Sequence, residues 1–132
     1  MTLPAAGSVL TLDRTLTQTD FDRFAAISGD DNPIHVDPAF SARTRFGRTV
    51  SHGMLLYTVF WGLVRRHMPG WRQAAQTLMF PAPAYADEGL TFTATVTEAG
   101  EGRIALSIRV FRSQDDITVC EGQAIMTNQG NG

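Results

Sequence analysis

Apolar and polar positions change rhythm several times along this chain. Residues 8–16 alternate, with Val9, Leu10, Leu12 and Leu16 as apolar points, and predict a first strand. Thr19-Asp20-Phe21-Asp22 has the spacing of a capping box, with Asp in place of the usual Glu or Gln. It predicts a short helix with Phe21, Phe24, Ala25 and Ile27 on one side. Ser28-Gly29-Asp30-Asp31-Asn32-Pro33 is dense in turn formers and predicts a loop. Asp37-Pro38 then reads as an N-cap followed by proline at the first helical position, opening a second short helix that runs to about Arg43.

Residues 52–67 have the length of a helix and are apolar almost all the way round, the pattern of a buried helix. Arg65, Arg66 and His67 fall in its last turn, where the helix dipole favours cations, and Pro69-Gly70 stops it. Beyond it the period shortens to two. Residues 74–80, 90–98, 103–113 and 117–127 all look extended, with Phe92, Ala94 and Val96 alternating with threonines and Ile104, Leu106, Ile108 and Val110 forming a second apolar row. The breaks at Gly100-Glu101-Gly102 and Ser113-Gln114-Asp115-Asp116 are short enough for hairpins, so the last three strands are expected to be antiparallel neighbours. One strand, a buried helix and four strands make an α+β plan. A helix that is apolar on all sides needs a sheet curled about it and a cover for the remaining side, and a second copy of the chain is the economical cover.

A length of 132 residues is that of one domain, so residues 1–132 are read as a single one, with a polar tail at residues 128–132 expected to fray. Net charge is −2 with the basic residues scattered, which gives no footprint for nucleic acid or a membrane surface. The longest apolar segment, residues 54–64, is about half the ~20 residues of a membrane span. A single cysteine, Cys120, allows no internal disulfide and is read as a small strand residue without chemistry. The N-terminus lacks the basic start and apolar run of a signal peptide. Together these point to the cytoplasm.

The chemistry concentrates in Gly29-Asp30-Asp31-Asn32-Pro33-Ile34-His35. Asn32-Pro33 stiffens this segment, because proline fixes its own φ and keeps Asn32 out of the helical region. A stiff bend can hold the Asp30 carboxylate and the His35 imidazole toward one small volume, and these side chains suit proton transfer near neutral pH. The same string also reads as a solvated turn with a structural histidine. A metal site built from Asp30, Asp31, His35 and Asp37 is disfavoured, since adjacent and alternating acids do not converge and no second His or Cys cluster completes a shell.

The string resembles the signature of the MaoC-like, (R)-specific enoyl-CoA hydratases: an aromatic, a short spacer, an aliphatic, a small residue, Gly-Asp-x-Asn-Pro-aliphatic-His, and a later small residue. Phe24, Ile27, Ser28, Gly29, Asp30, Asn32, Pro33, Ile34, His35 and Ser41 meet every position. The resemblance extends through Arg48-Thr49-Val50-Ser51-His52-Gly53-Met54-Leu55 and through residues 80–90. It implies a hot-dog fold, a curled antiparallel sheet wrapped around a long buried central helix. It further implies hydration of a trans-2-enoyl-CoA to an (R)-3-hydroxyacyl-CoA, or the reverse dehydration, with Asp30 and His35 catalytic and Asn32 orienting the pair or bracing the loop. No cofactor is expected, because the thioester itself acidifies C2, and the family usually works as a dimer.

Charge that develops on the thioester oxygen calls for a fixed N–H donor. Gly53, at the predicted start of the buried helix, has an N–H without an intrahelical acceptor and is the candidate oxyanion hole. Ser51, His52, Arg43 and Arg48 are candidate substrate-binding residues, with Arg45 a further cation near the loop, although His52 also fits a packing or hydrogen-bonding role and any one arginine a solvated one. Trp61 and Phe60 read as core or dimer contacts. The rival functions are an acyl-CoA thioesterase on the same fold, expected to lack the Gly-Asp-x-Asn-Pro-x-His loop, and a non-catalytic acyl-thioester-binding module, expected to lack the acid or the imidazole.

Overall fold

The computed structural model describes residues 4–128, so the tail from residue 129 onward lies outside it. The chain runs β1 (Val9–Thr15), α1 (Gln18–Ser28), α2 (Pro33–Val36), α3 (Pro38–Ala42), α4 (Gly53–His67), β2 (Arg72–Gln76), β3 (Gly89–Gly100), β4 (Arg103–Arg112) and β5 (Thr118–Thr127). The strands form one antiparallel sheet in the order β1-β3-β4-β5-β2. The three C-terminal strands are neighbours, as the hairpin spacing predicted. In register, Phe92 faces Val110, Ala94 faces Ile108 and Val96 faces Leu106. The period-two apolar rows therefore land on one side of the sheet.

That side packs on α4. Leu56, Phe60, Leu63 and Val64 of the helix share a continuous core with Leu90, Phe92, Ala94 and Val96 of β3, Ile104, Leu106, Ile108 and Val110 of β4, and Val119, Ala124 and Met126 of β5. A curled sheet around a central helix is the hot-dog plan. Among the described residues, no helix is long and apolar enough to cross a membrane.

Several details differ from the sequence expectation. The capping box of α1 is built by Thr17 and Asp20, two residues earlier than the Thr19–Asp22 spacing suggested, and Ile27 is 85% exposed instead of facing the core. Both candidate boxes place Asp at the reciprocal position, and the one that leaves Phe21 fully buried is the one that forms. β2 starts at Arg72 and ends at Gln76, although Thr77 and Met79 still bond Gln123 and Glu121 beyond it. The segment read as a loop, residues 28–33, ends one residue into α2, a single unpredicted turn capped by Asn32. α4 is not buried on every side: Met54 is 51% exposed, Thr58 and Gly62 are exposed, and Trp61 is half-buried. These residues recur at helical spacing, so one stripe of α4 is left uncovered by its own sheet.

Candidate active site

The Gly29–His35 segment is shaped by its own side chains. α1 ends on Gly29 in the left-handed region (φ 81°), a conformation that glycine adopts without strain. Asn32 Oδ1 accepts the Ile34 N–H at 3.1 Å, and Pro33 takes the first helical position of α2. Ser41, wholly buried, donates from Oγ to the Ile34 carbonyl at 3.1 Å, which also accepts the Val50 N–H at 3.0 Å, so the small residue at the end of the motif helps hold α2 in place. Gln18 Nε2 donates to the His35 carbonyl at 2.9 Å, while Gln18 Oε1 accepts from the Thr49 hydroxyl at 2.6 Å. These contacts fix His35 from both sides of its backbone.

The His35 ring is fixed as well. Its Nδ1 lies 2.8 Å from the Val50 carbonyl. A carbonyl only accepts, so Nδ1 carries the hydrogen and the neutral ring presents an unprotonated Nε2. That Nε2 lies 3.9 Å from Asp30 Oδ2. The gap is too long for a direct hydrogen bond, yet an oxygen held about 2.8 Å from each atom spans it. The Asp30 side chain is 55% exposed and that of His35 only 11%, so the pair runs from the solvent side inward.

Both side chains line a cavity of about 460 Å³, within the range of small-molecule sites. Ile34, Val50, Leu56, Ala84 and Val119 give it an apolar wall, and Gly53 and His52 bring in the tip of α4. The N-termini of α1, α2 and α3 are capped by the side chains of Thr17, Asn32 and Asp37. α4 has no side-chain cap. Its first N–H groups and its positive dipole end are thus available where Gly53 borders the cavity. A Cβ built on Gly53 would lie 2.8 Å from Phe80 Cζ, so any larger residue here would have to displace this partly exposed ring.

A sequence model described as "MaoC like domain" matches residues 3–124. The chain belongs to the MaoC-like domain family. An (R)-specific enoyl-CoA hydratase of Aeromonas caviae is 34% identical to this MaoC-like chain over 124 residues, covering 91% of this chain and 92% of that protein. A mitochondrial 3-hydroxyacyl-(acyl-carrier-protein) dehydratase of Arabidopsis thaliana is 32% identical over 127 residues, covering 93% of this chain and 76% of that protein. Among solved structures, the (R)-hydratase from A. caviae involved in PHA biosynthesis superposes with a TM-score of 0.89 at 32% identity, over 94% of this chain and 96% of that one.

The MaoC-like chain does not gather all the residues singled out in its sequence. Ser51 lines the cavity, but its hydroxyl donates to the His52 carbonyl at 2.9 Å. Arg43 lies outside the cavity lining, at the end of α3, with its guanidinium 6.0 Å from the Phe40 ring. Arg48 also lies outside: it donates to the Ala86 carbonyl at 2.6 Å, stands 3.9 Å from Glu88 and covers the Tyr85 ring, which ties it to the segment before β3. Arg45 is the arginine that borders the cavity, beside Phe46. Cys120 is buried, and burial pushes its thiol up to about 11, with Glu121 adding to the effect, so it holds no thiolate near neutral pH.

The second histidine that the metal argument lacked is present in space. Ligand atoms of Asp30, His35 and His52 lie within 4.8 Å of one another. The two rings are stacked, however, with centroids 3.9 Å apart and planes only 25° from parallel. Ring-nitrogen lone pairs lie in the ring plane, so face-to-face rings do not aim at a common ion. The set does not fit a metal.

Proposed function

We propose that this protein adds water across the double bond of a trans-2-enoyl-CoA to give the (R)-3-hydroxyacyl-CoA, and catalyses the reverse dehydration. The observation that carries this reading is the 3.9 Å separation of Asp30 Oδ2 and His35 Nε2 in a cavity that also reaches the uncapped start of α4. The Aeromonas and Arabidopsis relatives, a hydratase and a dehydratase by name, support the same chemistry run in opposite directions.

The reaction follows from the geometry. A water between the carboxylate and the unprotonated Nε2 is polarised by both. Its oxygen attacks C3 as the dyad takes one of its protons, and the C2–C3 π electrons move onto the thioester oxygen. The Gly53 N–H stabilises the resulting enolate, and a preorganised donor of this kind contributes on the order of 3 kcal/mol. The dyad then returns the proton to C2 on the face the water attacked. One water adds, no redox change occurs, and the balance closes without a co-reactant. Arg45 at the cavity rim offers a cation to the phosphates of coenzyme A. The stripe of α4 that its own sheet leaves open supports a homodimer in which the second copy covers Met54, Thr58 and Trp61.

Purified protein given crotonyl-CoA tests this reading. Loss of the enoyl absorbance without release of free thiol, and an (R)-configured product on chiral analysis, are the expected results. Thiol release would move the reading to a thioesterase, and neither signal would leave a binding module.

A further inference from the structure

We infer that His52 is a positioning residue for the dyad: a histidine locked in one tautomer, whose ring backs His35 and whose Nε2–H ties the main chain of Asp30 to the tip of α4. The inference rests on the hydratase reading for its kinetic consequence and on geometry alone for its structural one.

His52 occupies the N-cap position of α4, yet its side chain does not cap the helix. The ring instead turns toward the catalytic segment, where Nε2 lies 2.8 Å from the Asp30 carbonyl. Because a carbonyl only accepts, Nε2 holds the hydrogen, and a neutral imidazole has no second one. Nδ1 is therefore a lone pair. It is fully buried and has no partner among the described residues, and His52 as a whole is 2% exposed. Protonating Nδ1 would create a buried donor without an acceptor, a costly state. The surroundings oppose it further. Phe24 meets the ring at 4.8 Å and 61°, and Phe21 at 6.4 Å and 87°. The titratable groups that face His52 are His35 and Asp30; α1 contributes only the two phenylalanines. Burial pushes the His52 imidazole below the ordinary histidine range and His35 adds to this, while the Asp30 carbonyl and carboxylate work the other way.

Two effects on the dyad follow. The carbonyl that His52 holds belongs to the residue bearing the catalytic carboxylate, and the next residue along the chain is Gly53. One side chain thus sets the distance between the water site and the enolate site. In addition, the stacked ring at 3.9 Å gives His35 a neutral aromatic face to rest on when it takes a proton. A charged neighbour there would oppose that proton uptake.

Long-range 1H–15N correlation spectra of the native protein, recorded between about pH 5 and 8, test the locked tautomer without reference to activity. The expected spectrum places the hydrogen of neutral His52 on Nε2, with a protonation midpoint below the ordinary 6.5. An Nδ1–H tautomer, or a His52 that titrates at the ordinary histidine value, would overturn the inference. Kinetics on two variants supply the second arm. His52→Phe keeps a flat ring but loses the donor, and is expected to lower kcat for crotonyl-CoA hydration roughly tenfold or more through misplacement of the dyad, with KM little changed. His52→Gln keeps a donor toward Asp30 and is expected to recover most of that loss. A folded His52→Phe with native kcat would sink the positioning role, and if that variant does not fold the spectra decide. A native protein with the locked tautomer but no hydratase activity would remove the reaction and leave the clamp standing.

Discussion

His35 owes its chemistry to a main-chain carbonyl. The Val50 oxygen takes the hydrogen on Nδ1, which leaves Nε2 as the atom that faces Asp30. A few ångströms away, the Asp30 carbonyl fixes the opposite choice in His52. Two histidines in one stack are thus left with different unprotonated nitrogens by different backbone acceptors. This has a consequence for stability. His52 has a folded-state pKa below its ordinary value of 6.5, so the unfolded chain binds that proton more readily. Its contribution to stability is fully present above pH 6.5 and is lost as the pH falls through the folded-state value. Urea melts at a series of pH values are expected to show stability declining on acidification below pH 6.5, with a shallower decline in His52→Gln. Parallel declines in the two proteins would show that His52 is not the group responsible.

At the scale of elements, the site is a meeting of three helix ends. α1 stops at Gly29, α2 starts at Asn32, and α4 starts at Gly53 without a side-chain cap. The start of α2 was not legible in the sequence, where Asn32-Pro33 read as part of a loop because a four-residue helix shows no period, whereas the end of α1 was, because turn formers act on their own backbone within a few residues. The long helix and the alternating strands were legible for the same local reason. The contacts that complete the site were not. Gln18 bonds the His35 carbonyl from 17 residues away, and His52 bonds the Asp30 carbonyl from 22. Main-chain acceptors are the same at every position, so such bonds leave no signature in residue type. Arg48 reads in sequence as a candidate substrate-binding cation, and only the fold shows it tied to Ala86 and Glu88. The crowding of Gly53 by Phe80 belongs to this class too. Gly53→Ala is expected to push the partly exposed Phe80 ring aside at a modest cost in stability, because the ring can swing toward solvent, and to lower kcat/KM for hydration. Adding Phe80→Ala is expected to return much of the stability, as read by denaturant melts of the single and double variants. A Gly53→Ala protein of native stability and activity would show that the close approach does not matter.

At the scale of the molecule, the sheet buries one side of α4 and leaves a stripe that includes Met54, with Met79 and Phe80 also exposed. The sequence suggested a helix apolar on all sides and hence a second copy to cover it. The structure narrows that requirement to one stripe, since Leu56, Phe60 and Leu63 are already covered by the chain's own sheet. A dimer is expected by light scattering at micromolar concentration, and Met54→Glu is expected to weaken it by placing a charge on the covered face. A native protein that is monomeric under those conditions would contradict the proposed interface.

The most direct test is a double-mutant cycle on crotonyl-CoA hydration with Asp30→Asn, His35→Ala and the two combined, each checked for native fold. If the carboxylate and the imidazole share one water, each single change lowers kcat/KM by at least ~10²-fold. The double variant then falls little further, because groups that act as a unit are not additive. Near-native turnover by either single variant, or losses that multiply in the double, would mean that the two side chains do not work on the same water.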